Sequence, residues 1–224
     1  MNDKQKTVVI TGASNGIGRA LAGKLLSEGY KVIAVVRSGT IEGLSHANLS
    51  VVQGDISSAI SISHAIEKIA AMAVSVDYLI NNAGVGPDLM EEVPTEEHMQ
   101  TSFAINTTGT VLFTEGLLKY VKNGGHILFL STAMALLRNA APSGPAYRMS
   151  KAAINMYAVL LAQRLAEKDI VVTPLHPGWV QTRMGGQHAP VTITQSVDGI
   201  YKALTENKSS GKFWNIEVDG LQDF

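Results

Sequence analysis

The chain has no cysteine, and that absence removes disulfides, thiolate metal sites and a cysteine nucleophile together. It also lacks any excess of charge: 18 Lys and Arg stand against 19 Asp and Glu, and no basic run appears. Nothing in this balance supports nucleic acid or an anionic membrane as a partner. No apolar run is long enough to span a bilayer. Met1-Asn2-Asp3-Lys4-Gln5-Lys6 is a short polar lead-in without the apolar core of a signal peptide. A soluble, cytoplasmic protein is the expectation. The 6 histidines show no H-E-x-x-H or other ligand spacing, so no metal is expected. A G-x-S-x-G nucleophile elbow is missing as well.

What the chain does have is length and apolar content. Its 224 residues, 46% hydrophobic and 17% charged, suit one large α/β domain spanning 1–224, with a buried sheet covered on both faces. Strand and helix patterns alternate. Strands are expected at Thr7–Ile10, Lys31–Val36, Leu49–Gln53, Val76–Ile80, Gly125–Leu130, Ile170–Leu175 and Lys212–Glu217. Helices are expected from Ile17 to Gly29, Ser57 to Met72, Thr95 to Val121, Ala146 to Glu167 and Thr194 to Glu206. Such alternation predicts right-handed crossovers and a doubly wound, Rossmann-type parallel sheet of about seven strands. Ligands of such sheets sit at the carboxyl ends of the strands.

The densest stretch is Thr7-Val8-Val9-Ile10-Thr11-Gly12-Ala13-Ser14-Asn15-Gly16-Ile17-Gly18, a β-branched strand running through a glycine-rich turn into a helix. Gly12 permits the tight turn, Gly16 lets backbone approach a ligand, and Gly18 lets the helix pack closely. Free N–H groups at the helix start favour a pyrophosphate. The second strand ends Val35-Val36-Arg37, where an acid would hold adenosine ribose hydroxyls. The missing acid favours NADP over NAD. Arg37 itself is either a partner for a 2′-phosphate or a solvated surface arginine. Asp55 either accepts from an adenine amino group or caps a helix. Asn81-Asn82-Ala83-Gly84 is either a plain turn or a place where side chains bridge backbones beside a ligand. In Tyr147-Arg148-Met149-Ser150-Lys151, a spacing of four puts phenol and ammonium on one helix face, where the ammonium favours phenolate.

Taken in order, the glycine turn, Asp55, Asn81-Asn82-Ala83-Gly84, Asn106, Tyr147 with Lys151, and Pro177-Gly178 resemble the short-chain dehydrogenase/reductase family. The resemblance covers essentially the whole chain. The stretch His176-Pro177-Gly178-Trp179-Val180-Gln181-Thr182 looks most like the C-factor and sniffer type of carbonyl reductase. The family implies NADP-dependent hydride transfer between a carbonyl and an alcohol, with Tyr147 as general acid or base. It implies that Lys151 holds the nicotinamide ribose and that Asn106 anchors a water leading to Lys151. Pro177 and Gly178 would shape the nicotinamide pocket, and Thr182 would bond the carboxamide or phosphates. The cofactor contacts implied are Gly12, Ser14, Asn15, Gly16, Ile17, Gly18, Arg37, Asp55, Ile56, Asn82, Ala83, Gly84, Tyr147, Lys151, Pro177, Gly178, Val180 and Thr182.

One position departs from the family pattern. The family's serine after the fifth strand corresponds to Thr132, in Phe129-Leu130-Ser131-Thr132-Ala133, and neighbouring Ser131 is the alternative hydroxyl. Strand alternation favours Thr132. The substrate loops offer Val85, Met134, Leu136, Leu137, Trp179, Met184 and His188, with Gly185-Gly186 as a possible lid hinge. Met134, Leu136, Trp179 and Met184 are the pocket residues expected, and their apolar character suits a neutral aldehyde or ketone. A homodimer or homotetramer is a family-level expectation, with Met149, Met156, Tyr157 and Leu160 available to pair subunits. The alternative function is a non-catalytic NAD(P)-binding sensor of the same fold. A non-redox enzyme of this fold, such as a dehalogenase or epimerase, is a third, and the complete glycine turn argues against the dehalogenase.

Overall fold

A computed structural model describes residues 5–72 and 75–224. The first four residues of the polar lead-in lie outside the described residues. The strands are β1 (Thr7–Thr11), β2 (Lys31–Val36), β3 (Leu49–Gln53), β4 (Val76–Asn81), β5 (Val121–Leu130), β6 (Val171–His176), β7 (Phe213–Asn215) and β8 (Gly220–Gln222). They join in one sheet of order β3-β2-β1-β4-β5-β6-β7-β8. Every pairing is parallel except β7 with β8, a three-residue antiparallel edge beyond the seven strands expected. The chain winds outward from β1 in both directions, so a crevice opens between the carboxyl ends of β1 and β4.

The α-helices are α1 (Gly16–Ser27), α2 (Ala59–Ala71), α3 (Glu96–Phe103), α4 (Thr110–Leu117), α5 (Pro145–Arg164) and α6 (Ile193–Glu206). Alternation along β1 divides the core. Val8 and Ile10 pack under α1 and α6 with Leu21, Leu25, Val197 and Ile200. Val9 faces α2, α4 and α5, among Ile62, Phe113, Leu117, Ile154 and Ala158. The central strands β1, β2 and β4 are almost wholly buried because both faces of the sheet are covered.

The long helix expected from Thr95 to Val121 is broken. Thr95 caps α3, its hydroxyl accepting from the His98 amide at 3.1 Å. After Phe103 the chain widens into a π-helical segment, Ala104–Gly109, before α4 resumes. Two causes are visible. The run Asn106-Thr107-Thr108-Gly109 is poor in helix formers. Gly109 also presses against the Ile56 carbonyl, where an added Cβ would sit 1.7 Å from that oxygen. At the other end Val121 leaves the helix to pair with Val76, which makes β5 four residues longer at its start than Gly125–Leu130.

His126 on β5 ties the lower half of the sheet together. Its Nδ1 lies 3.0 Å from the Leu204 carbonyl and its Nε2 2.8 Å from the Thr173 hydroxyl, which also accepts from Asn207 Nδ2. A carbonyl can only accept, so Nδ1 carries the proton and the ring is neutral. Burial lowers the imidazole to about 4, with a smaller push from Lys208 in the same direction and the Leu204 carbonyl acting against both. Since the folded value lies below the unfolded one, this contribution is complete above pH about 6.5 and is lost as pH falls towards about 4. Its size is on the order of 3 kcal/mol. Urea midpoints between pH 7.5 and 4.5 should show this slope in the wild type and a shallower one in His126→Gln. Equal slopes would remove His126 as the cause.

Candidate active site

The glycine turn between β1 and α1 forms one wall of the crevice. Gly12 has φ +69°, and a Cβ there would lie 2.9 Å from the Ala83 Cα, so the turn fits against Asn82-Ala83 only without a side chain. Gly18 packs as closely, but on Asn82 Nδ2 and the Gly12 carbonyl, which an added Cβ would meet at 2.3 and 2.4 Å. The Asn82 side chain is the bridge: Nδ2 donates to the carbonyls of Thr11 at 2.9 Å and Gly12 at 3.0 Å. The Thr11 hydroxyl answers by accepting from the amides of Asn82 and Ala83. Asn81 does not share this role; it is buried, and neither amide atom has a partner among the described residues.

Asn15 stands at the N-cap of α1 in extended conformation, hydrogen-bonds the Ser14 hydroxyl at 3.4 Å, and makes no capping bond. The first amides of α1 therefore face the crevice uncapped, with the positive end of the helix dipole behind them. Ile17 packs into the core beneath. Across from them, a cavity of about 530 Å³ is lined by Asn15, Gly16, Gln181, Thr182, Arg183 and Ile193, among others. Gly16 has φ +53°, and its Cβ position lies 3.6 Å from the Thr182 methyl. This cradle fits a dinucleotide: small residues where backbone must approach, unpaired donors for phosphates, and space beside them.

Farther along the crevice, Arg37 follows β2 and is exposed. Its charge helps hold the Asp55 carboxyl below the usual range, a shift caused first by the Ser57 hydroxyl, opposed by burial and aided by the Ser57 amide. Asp55 is not the cap of α2. Its Oδ1 accepts from the amide and hydroxyl of Ser57 at 2.9 and 2.7 Å, and Ser58 caps the helix instead. Ile56 is buried against Gly109.

The chemical groups converge from three elements. Tyr147 and Lys151 lie in the first two turns of α5, both buried. Thr132, two residues past β5, has its hydroxyl close enough to the Tyr147 phenol to lower its pKa, and that hydroxyl accepts from the Met134 amide at 3.2 Å. Ser131 turns away and donates to Asn155 Oδ1 at 2.6 Å. Lys151 Nζ donates to the Leu130 carbonyl at 2.7 Å. Lys151 Nζ and Asn106 Oδ1 both crowd Gly84, whose Cβ position would lie 3.1 and 3.2 Å from the two atoms. Asn106 sits in the π segment, where its amide clamps the Val85 backbone from both sides at 2.8 Å and donates to the Ser150 hydroxyl at 3.0 Å.

The expected pull of Lys151 on the phenol is not what dominates. Burial pushes Tyr147 up to about 12, with the Thr132 hydroxyl acting the other way. Burial likewise lowers Lys151 to about 8. Each group loses water, and low polarity favours the neutral form of both.

After β6, Pro177 is anchored through its carbonyl to the Ser196 hydroxyl, and Gly178 has φ +81°. Val180 is buried and bridges to Val191. The Thr182 hydroxyl is engaged inside its own loop, donating to the Val180 carbonyl and accepting from the Gly185 amide. Gly185 is not a free hinge: a Cβ there would lie 2.1 Å from the Val180 carbonyl, and the Trp179 indole donates to the Gly185 carbonyl at 2.7 Å. Met134 is half-buried, and Trp179 and Met184 are exposed. Leu136 is 2% exposed and belongs to the core instead. Leu137 and His188 are exposed, and Val85 is fixed by Asn106. Sequence reasoning missed Asp88, a fully buried carboxylate bound to the start of α5. The available signal was a helix beginning at Gly144-Pro145 with no capping side chain of its own.

A cradle shaped for a dinucleotide, with a phenol, an amine and a hydroxyl beyond it, defines a nucleotide-dependent enzyme. The chain belongs to the short chain dehydrogenase family, whose model matches residues 6–191. It is thus an NAD(P)-dependent oxidoreductase. An uncharacterized oxidoreductase of Methylorubrum extorquens is 32% identical over 215 residues, covering 92% of this chain and 85% of that protein. The NADPH-bound carbonyl reductase from chicken fatty liver superposes with a TM-score of 0.88 at 27% identity, covering 98% and 99% of the two chains. The carbonyl reductase Sniffer of D. melanogaster shares the fold at a TM-score of 0.90 and 23% identity, covering 98% and 100%. Among the described residues no helix is long and apolar enough to cross a membrane, and no group of three or more His, Cys, Asp or Glu could hold a metal ion.

Proposed function

We propose that the chain interconverts a small, mostly apolar aldehyde or ketone and its alcohol, with NADP(H) preferred over NAD(H). The observation that carries this reading is the convergence of buried Tyr147 and Lys151 from α5 with the buried Thr132 hydroxyl that follows β5, beyond the glycine turn. In reduction the Tyr147 phenol gives its proton to the carbonyl oxygen, and the Thr132 hydroxyl orients the same oxygen. A phenol held near 12 is fully protonated at neutral pH, as an acid must be. The bound nicotinamide supplies the hydride. Lys151 would hold the ribose hydroxyls of the bound cofactor, and Asn106 keeps Val85 and Ser150 in place. The apolar character of Met134, Trp179 and Met184 favours a neutral substrate.

Oxidation of NADPH should be followed over a panel of aldehydes, ketones and quinones. Turnover with any class supports the reading. No turnover, with NADPH still raising the melting temperature, would turn it towards a nucleotide sensor. Cofactor choice rests on Arg37 and the apolar end of β2. Arg37→Ala should weaken NADPH about tenfold and leave NADH nearly unchanged, because only the former offers a 2′-phosphate to a charge-assisted bond. Equal weakening of both would remove Arg37 from the choice.

A further inference from the structure

We infer that Asp88, on the loop after β4, is a positioning residue for proton transfer: it fixes the first turn of α5 and with it the Tyr147 phenol. The inference rests on the oxidoreductase reading above. The Asp88 side chain is fully buried, which a carboxylate tolerates only when its oxygens are satisfied. Its Oδ2 accepts from the Ala146 amide at 2.6 Å and its Oδ1 from the Tyr147 amide at 3.1 Å.

These two amides are the ones that need a partner. Gly144 stands at the N-cap and has no side chain to offer, and Pro145 has no N–H. The Arg148 amide already bonds the Gly144 carbonyl at 2.9 Å. One carboxylate from 58 residues earlier therefore completes the helix start, and its charge faces the positive end of the α5 dipole.

Gly144 takes φ +70°, where a Ser or Asp cap would be strained, so the cap comes from the loop after β4. Placing it on the preceding loop makes the orientation of Tyr147 depend on that loop. The same loop touches Tyr147 a second time, since the Gly86 Cβ position lies 3.2 Å from the ring. It is held in turn by Asn106 at Val85 and by the Gly144 amide, which donates to the Glu91 carbonyl at 2.8 Å. Backbone and ring of the proton donor are thus both set from residues 85–91, one strand end away from the glycine turn.

The test compares wild type with Asp88→Asn and Asp88→Ser, reading kcat per bound NADPH, the NADPH dissociation constant and amide exchange. Asp88→Asn places an NH2 group against a backbone N–H. It should lower kcat per bound NADPH about tenfold to a hundredfold, because small misplacements of a reacting group cost that much. The dissociation constant should stay within about twofold, since the cofactor cradle is made elsewhere, and only changes beyond the scale of lost orientation would count. Exchange at Ala146 and Tyr147 should accelerate while the interior of α5 stays protected. Unchanged kcat per bound NADPH overturns the inference. So does a fall in kcat matched by a loss of NADPH sites, or failure of both variants to fold, since either makes the role structural only. A wild type that turns over no carbonyl would sink the oxidoreductase reading instead, independently of these comparisons.

Discussion

Tyr147→Phe should lower kcat about a thousandfold while leaving the fold and NADPH binding intact, because general acid catalysis by a positioned side chain is worth about 10² to 10⁴. The ring is 7% exposed and rests on the Gly86 backbone, so phenylalanine fills the same space. What disappears is one hydroxyl beside Thr132. Kd for NADPH by fluorescence and the melting temperature should both stay near the wild type. A variant that keeps more than a tenth of the wild-type rate would move the proton donor elsewhere. The pH profile offers a companion check. With the phenol near 12 and Lys151 near 8, the first group to change above neutrality is the amine. Lys151 is charged below that value and neutral above it, so kcat/KM for reduction should decline above pH about 8. A profile flat to pH 10 would show that the charge on Lys151 is not used.

Gly109→Ala should be the most destabilising of the simple glycine substitutions. The added methyl would lie 1.7 Å from the Ile56 carbonyl and 2.8 Å from that of Ala104. Both are backbone oxygens and cannot swing aside like the end of a side chain, so the loop after β3 and the π segment must separate. A cost of about 3 kcal/mol or more is expected, the upper end of overpacking effects. For a chain of this size that is about 6–12 °C in melting temperature. The displaced parts carry Asp55 and Asn106, so activity at low temperature should fall as well. Gly23, inside α1, has nothing within 4 Å of its Cβ position. Gly23→Ala should therefore stabilise by about 0.5–1 kcal/mol. Melting of Gly109→Ala within about 2 °C of the wild type would mean that the contact relaxes at little cost.

Much of the architecture was legible because its causes are local. The β-branched run before Gly12, the spacing of Ile17, Leu21 and Leu25, and Thr95 ahead of two glutamates each announce an element within a few residues. Tyr147 and Lys151 were legible for the same reason, since a spacing of four places them on one face. Strand alternation favours Thr132 over Ser131 as the facing hydroxyl, and the Ser131 hydroxyl donates to Asn155. The illegible features depend on partners far along the chain. The π segment answers to the Ile56 carbonyl, 53 residues before Gly109. Asp88 reads as an ordinary turn residue in Gly86-Pro87-Asp88-Leu89 until α5 is brought to it. The protonation of Tyr147 depends on burial by the whole fold, which a four-residue spacing does not reveal.

The segment from Trp179 to Val191 is closed on itself. Val180 bridges to Val191, the Gln181 amide donates to the Val191 carbonyl, and the Gln181 side chain donates to the Ala189 carbonyl. Its base is thus a small clasp fastened independently of what lies between. Gly186 and Gln187 between the clasped ends line the cavity beside Gly16, so that wall is set apart from the register of β6. The fastening works like a buckle: residues 186–188 could be replaced to reshape the space beside the start of α1 while the strand behind it keeps its place.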